Sequence, residues 1–170
     1  MSNRDGYYFY EAGQAVAAAH LKLSIRHVSA NPASRATDIE LTRKHTKERM
    51  ILWLTGMAAE RKCLGKSDPL RRTRNRLRVR SLIESAMNDG EGSIARKRAR
   101  AKLMLNQAQD RANAICNNLY EAIARIAAHL RDKGGLDGVD VERIVAEAKG
   151  FAAADGDGHP APLKRRTRRL

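Results

Sequence analysis

The sequence has 170 residues and a formal net charge of +14, from 33 Lys and Arg against 19 Asp and Glu. Its length suits one domain that can bury a core without metal or disulfides, and its charge predicts an anionic partner, which could be nucleic acid, acidic lipid or an acidic protein. The chain has no signal-peptide pattern and no apolar run of about 18 residues, so we expect no membrane span and a cytoplasmic location.

Alanine and cysteine indicate how the chain packs. Much of the 42% apolar content is alanine, which favours helix but buries little area, so we expect closely packed helices around a thin core. The two cysteines, Cys63 and Cys116, fall far apart in predicted helices. We expect two buried, reduced thiols rather than a disulfide.

One helix and one strand are predicted near the N-terminus. Apolar residues at spacings of four and three predict an amphipathic helix over residues 5–21, with Ala12, Val16 and Ala19 on one face. Alternation of apolar and polar residues from Leu21 to Ile25 predicts a strand, which Asn31-Pro32 ends. Residues 32–38 are predicted to form a loop or a small, shortened sheet region.

Two further helices are predicted in the middle of the chain. The first spans residues 39–64 and ends at Gly65, a natural left-handed stop. The second begins at Ser67-Asp68-Pro69, where a capping side chain precedes proline at the first helical position, and continues to Met87. Its apolar positions are Leu70, Leu77, Val79, Leu82, Ile83 and Ala86.

The last third is predicted to be helical up to a polar tail. A long helix or a broken pair covers residues 92–133, and its apolar stripe consists of Leu103, Leu119, Ile123, Ile126, Ala127 and Leu130. Asp140 is predicted to cap a short last helix, which Gly150 ends. The prediction is therefore a mainly α domain with a small β region, an α+β fold, over residues 1–150, and a disordered basic tail over residues 151–170.

The first predicted helix carries the segment Tyr10-Glu11-Ala12-Gly13-Gln14, followed by Ala15-Val16-Ala17-Ala18. It resembles the H-E-A-G-H-A-V-A-A helix of FtsH-type ATP-dependent zinc metalloproteases. In such a helix the two histidines lie four residues apart on one face and bind zinc, and the glutamate activates the zinc-bound water. Taken alone, the segment is an amphipathic helix with one solvated glutamate.

Four later segments extend the resemblance in the same order. Residues 25–32 look like the strand after the zinc helix, and residues 51–60 are similar to the Leu-Ala-Gly-x-Ala-Ala-Glu helix. Ser67-Asp68-Pro69-Leu70 resembles the segment whose aspartate is the third zinc ligand, and residues 135–142 are similar to the turn before the closing helix. The likeness covers residues 7–148 and implies an FtsH-type peptidase-like helical domain without the ATPase half.

The resemblance also implies where a zinc site would lie, and the sequence departs from it there. Tyr10 and Gln14 stand in place of the two histidines, whereas Glu11 and Asp68 keep the general-base and third-ligand positions. Tyrosine and a neutral amide are poor zinc ligands, so we expect no metal or other cofactor and a vestigial pocket formed by these four residues. The alternative for Asp68 is a helix N-cap, and it could serve as both.

Two hypotheses for function follow from these departures. The first is a catalytically inactive relative that binds peptides or acts as an assembly module, with an FtsH-type ATPase or a second copy of the chain as partner. The second is an altered hydrolase in which Glu11 and Asp68 act as paired carboxylates around water or a hard cation.

A third hypothesis rests on charge. Residues 67–102 contain eleven Lys or Arg against four Asp or Glu, which gives +7, half the net charge. Helical spacing groups six arginines into two stripes, Arg71, Arg74 and Arg78, and Arg72, Arg76 and Arg80. Such stripes could bind phosphates of nucleic acid or an acidic partner, although a solvated helix surface gives the same pattern. No motif for sequence-specific readout is present.

Overall fold

Helix α1, Asn3–His20, lies at the centre of the computed structural model, which describes residues 3–31, 37–42, 45–88 and 92–154. It packs against α2 (Thr46–Leu64), α5 (Tyr120–Lys133) and α6 (Gly138–Ala154). The remaining described elements are β1 (Ile25–Ser29), β2 (Thr37–Ile39), α3 (Pro69–Asn88), α4 (Ile94–Asn118) and β3 (Gly135–Asp137). The predicted α+β class, mainly helical with a small sheet, is confirmed.

Two glycines allow α1 and α2 to approach closely. A Cβ atom at Gly13 would lie 3.0 Å from the Cα of Gly56, and one at Gly56 would lie 2.8 Å from the carbonyl oxygen of Tyr10. The buried side of α1 is rich in alanine, including Ala12, Ala15, Ala17 and Ala18. The helices therefore pack closely around a thin core, as the alanine-rich composition predicts.

The sheet is antiparallel, with strand order β2-β1-β3. Val28 in β1 is paired with Thr37 in β2 and with Leu136 in β3, and both Val28 and Leu136 are buried against the core. Sequence analysis missed β3, because three residues are too few for a period-two pattern to be visible. The pairing places Thr37 beside the N-terminal half of α1.

Several element boundaries differ from the prediction. The strand begins at Ile25 rather than Leu21, because the chain turns at Lys22, whose φ is +57°. Helix α2 begins at Thr46 rather than residue 39, because residues 37–39 belong to β2. Gly65 and Gly134 end α2 and α5 in the left-handed conformation, as predicted for Gly65.

Of the two alternatives predicted for residues 92–133, a long helix or a broken pair, the structure shows the broken pair, with Leu119 separating α4 from α5. Helix α6 starts at Gly138, which meets the Ile25 carbonyl so closely that no other side chain fits, and it runs to Ala154, past the predicted end at Gly150. Asp140 lies within the first turn of α6 instead of preceding it. Residues 155–170 of the predicted tail lie outside the described residues.

Part of the predicted core is wrong. Leu70, Leu77 and Leu103 are 80%, 61% and 57% exposed, so they face solvent.

Both cysteines are free thiols, but Cys63 is only half-buried whereas Cys116 is buried. None of the described helices is both long and apolar enough to cross a bilayer.

Candidate functional site

Tyr10 and Gln14 lie on one face of α1, four residues apart, and Glu11 lies beside them. Tyr10 and Glu11 are each only 5% exposed, and Gln14 is half-buried. The structure therefore brings together three of the four residues that the resemblance assigns to the site, and it removes Glu11 from solvent rather than leaving it as a solvated surface glutamate.

Asn75 of α3 engages the Tyr10 hydroxyl. Tyr10 Oη donates to Asn75 Oδ1 at 3.1 Å, and Asn75 Nδ2 donates to Tyr10 Oη at 2.9 Å. Burial, followed by the nearby Glu11 carboxylate, raises the pKa of Tyr10 well above its ordinary value. The phenol is therefore neutral and already hydrogen-bonded, which makes it unsuitable as a metal ligand.

The Glu11 carboxylate is held by two neutral donors. Thr37 Oγ1 donates to Glu11 Oε2 at 2.6 Å, and Gln14 Nε2 contacts the same oxygen at 3.4 Å. Burial raises the pKa of Glu11 to about 7, although the Thr37 hydrogen bond and the positive charges of Arg71 and Arg78 act in the opposite direction. Near neutral pH, Glu11 is consequently a mixture of carboxylic acid and carboxylate.

Asp68 is the helix N-cap of α3, the predicted alternative to a ligand role. Its Oδ1 accepts a 2.8 Å hydrogen bond from the backbone N of Arg71, and the Asp68 backbone N donates to Glu60 Oε1 at 3.1 Å. Within the described residues, the Asp68 carboxylate makes no hydrogen bond with Glu11 or Gln14. The pairing of Glu11 with Asp68 around water or a cation thus gains no support from these contacts.

The residues at these positions do not fit the zinc ion that the resemblance implies. Imidazole and thiolate are the ligands that zinc prefers, whereas Tyr10 is paired with Asn75 and Gln14 offers only an amide. Across the ranges that the structure describes, no group of three or more His, Cys, Asp and Glu side chains could hold a metal ion. The donor atoms at these positions therefore do not support metal chemistry.

An adjacent buried ion pair was not predicted. Glu60 of α2 is 1% exposed, and its Oε1 accepts a 2.7 Å hydrogen bond from Arg71 Nη1, whereas Oε2 has no partner among the described residues. The Arg71 guanidinium also lies 5.4 Å and 5.2 Å from the ring centroids of Tyr7 and Tyr10. A glutamate inside an otherwise apolar helical stretch was the sequence signal for this cluster.

The remaining five arginines of the two predicted stripes are exposed on α3, as Arg72, Arg74, Arg76, Arg78 and Arg80. Arg78 lies 5.6 Å from the ring centroid of Trp53, and Arg80 forms a 2.8 Å ion pair with Glu84. The stripe that contains Arg71 is therefore interrupted, because Arg71 is turned toward Glu60. Arg72, Arg74, Arg76 and Arg78 are exposed and form no ion pair with a described residue.

A small pocket lies on the opposite side of α1 from Tyr10 and Gln14. It has a volume of about 200 Å³ and lies between α1 and α5, lined by Asp5, Tyr8, Phe9, Ala124, Ala127, Ala128 and Arg131. None of the residues predicted to form the site lines this pocket. This cavity is therefore not the vestigial pocket predicted around Glu11.

Comparison with models of protein families gave no match, and comparison with curated protein sequences gave none either. These comparisons therefore add nothing to the resemblance of residues 7–148 to the FtsH-type peptidase domain.

Proposed function

We propose that this chain is a catalytically inactive relative of the FtsH-type peptidase domain and acts as a non-enzymatic binding or assembly module. The observation that supports the proposal best is the buried pair between Tyr10 and Asn75. In the resembled family, the position of Tyr10 is a zinc-binding histidine. Here the side chain satisfies Asn75 instead, so the residue that replaces the ligand has a structural partner of its own.

The state of Glu11 supports the same proposal. A general base must reach its water or substrate within about 3 Å, and a zinc-bound water must lie beside it. Glu11 is buried, and its Oε2 accepts a hydrogen bond from Thr37 of β2. Thr37 of β2 thus occupies one oxygen of the carboxylate that, in the resembled family, activates the water.

Cleavage of an unfolded substrate tests this proposal. Purified protein is incubated with zinc and unfolded casein, with and without a chelator, beside the Glu11→Gln variant. We expect no cleavage above background for either protein. Cleavage that requires zinc and is lost in Glu11→Gln would overturn the proposal, because this variant keeps the shape of the side chain while removing its basicity.

A second candidate function is binding of nucleic acid or an acidic partner. It is favoured by Arg72, Arg74 and Arg76, which are exposed and form no ion pair with any residue that the structure describes. A duplex DNA gel shift at increasing salt tests the nucleic-acid version, because each phosphate contact adds to the salt dependence of the affinity. Absence of binding at low salt removes that version.

A further inference from the structure

The outer face of α3 combines apolar and positively charged residues that nothing in the described structure covers. Leu70 and Leu77 are seven residues apart, so they lie two turns apart on one side of the helix, about 10 Å along its axis. The buried residues Asn75 and Val79 lie on the opposite side, against the body of the domain. Exposure of both leucines thus follows from the way α3 is docked.

Positive charge flanks the two leucines. Arg74 and Arg78 lie about 40° and 80° around the helix axis from Leu70, on one side of the leucines, and both are exposed and make no ion pair with a described residue. The only carboxylate paired along this helix surface in the described part of the chain is Glu84, which contacts Arg80. A partner for this face must therefore supply negative charge beside an apolar contact, on the side of Arg74 and Arg78.

We propose that this face, defined by Leu70, Leu77, Arg74 and Arg78, docks an acidic amphipathic helix of a partner protein. Such a helix presents apolar residues at a spacing of seven, which matches Leu70 and Leu77, and carries Asp or Glu beside them. The proposal names the kind of partner for the assembly role above, and it rests on that role.

Other occupants fit this face less well. A second copy of the chain would oppose arginines with arginines, at a net charge of +14 for each copy. Nucleic acid would neutralise the arginines but leave the leucines against phosphates, and no aromatic side chain is exposed on this face for stacking on bases. An anionic membrane requires a broad apolar face, whereas only two leucines project here.

A labelled probe peptide tests the proposal by fluorescence anisotropy with the full chain. The probe is a helical peptide with leucine at every seventh position, flanked by glutamates, and its control is a scrambled peptide of the same composition. We expect saturable binding of the probe and at least about tenfold weaker binding of the scrambled peptide. No saturable binding, or equal binding of the two peptides, overturns the proposal.

Two matched pairs of variants locate the contact. Leu70→Ala combined with Leu77→Ala is expected to weaken probe binding at least about tenfold, whereas Val139→Ala, at another exposed apolar residue, leaves it unchanged. Replacing Arg74 and Arg78 by Gln weakens binding and flattens its salt dependence, whereas the same replacement of the exposed Lys47 and Lys133 changes it much less. Binding unaffected by the leucine variant overturns the proposal.

Competitors distinguish the other partner classes. Tighter binding to a DNA oligonucleotide, or to phosphatidylserine–phosphatidylcholine vesicles, than to the probe peptide would assign the face to those ligands and overturn the proposal. The result of the peptide-binding experiment can be distinguished from the result of the cleavage experiment. Zinc-dependent cleavage with intact peptide binding contradicts only the proposed loss of catalysis, whereas lost peptide binding without cleavage contradicts only the docking face.

Discussion

Thr37 of β2 donates a 2.6 Å hydrogen bond to the carboxylate of Glu11 on α1, and this contact joins the edge of the sheet to the helix that resembles a zinc-protease helix. Two residues that are 26 positions apart in the sequence are thereby joined, and the titratable Glu11 carboxylate is buried beside Tyr10. The group that would activate water in the resembled family is here a buried structural side chain, and its protonation influences the stability of the fold.

Stability is expected to depend on pH through Glu11. Its pKa is raised from an ordinary 4.5 to about 7 by burial, so the folded state holds this proton more tightly than the unfolded state does. The stabilisation is therefore present below about pH 4.5 and is lost as pH rises toward 7, by on the order of 3 kcal/mol. Denaturant unfolding of wild type and Glu11→Gln at pH 5 and pH 8 measures it.

The variant provides the control, because glutamine cannot ionise and its amide oxygen can still accept from Thr37. Its free energy of unfolding should fall less between pH 5 and pH 8 than that of the wild type. Parallel pH profiles for the two proteins would contradict the raised pKa.

Tyr10→Phe should destabilise the fold by about 1–3 kcal/mol, because it leaves the buried Asn75 amide without its partner. Tyr8→Phe is the matched control, since Tyr8 is only half-buried on another face of α1, and it should have little effect. Thermal or denaturant unfolding compares the two. Equal stability of Tyr10→Phe and wild type would show that the pair with Asn75 contributes nothing.

Gly56→Ala should destabilise the fold by about 1–3 kcal/mol through overpacking. Its methyl group would lie 2.8 Å from the Tyr10 carbonyl oxygen and 2.9 Å from the Tyr10 ring, so α1 and α2 must separate. Gly150→Ala in α6 meets nothing within 4 Å and should instead stabilise by about 0.5–1 kcal/mol. The same sign for both variants in unfolding measurements would contradict the close crossing.

Arg71→Gln should cost about 3–5 kcal/mol, because it leaves the Glu60 carboxylate buried without its cation. Burial already raises the pKa of Glu60, and Arg71 is the largest opposing influence. Arg80→Gln breaks an exposed pair with Glu84 and should cost no more than about 1 kcal/mol. Similar losses of unfolding free energy in the two variants would indicate that Glu60 is exposed to solvent rather than buried.

Local signals predicted the features that depend on a few neighbouring residues. The left-handed stop at Gly65 and the N-cap at Asp68 are confirmed, because each depends on backbone geometry within one turn. The exposed side of α3 was predicted wrongly. Leucines at Leu70 and Leu77 suggest a buried face, whereas the docked side contains Asn75, whose partner Tyr10 is 65 residues away.

The candidate site was predictable only in part for the same reason. Tyr10, Glu11 and Gln14 share a helix, so their proximity follows from spacing alone. The contacts that determine their chemistry come from Thr37, Asn75 and Arg71 on other elements, and no periodicity in one sequence reveals which elements meet. The position of β2 against α1, in particular, depends on antiparallel pairing with β1 and its register.

Zinc content of the purified protein tests the central claim most directly. The protein is expressed with zinc in the medium, purified without chelators, and its zinc is measured by mass spectrometry beside a variant that combines Tyr10→His with Gln14→His. Far less than one zinc per chain in the wild type is the predicted result. An Asp68→Ala variant, which keeps Glu11, is measured in the same way. One zinc per chain in the wild type that is lost in Asp68→Ala would contradict the account.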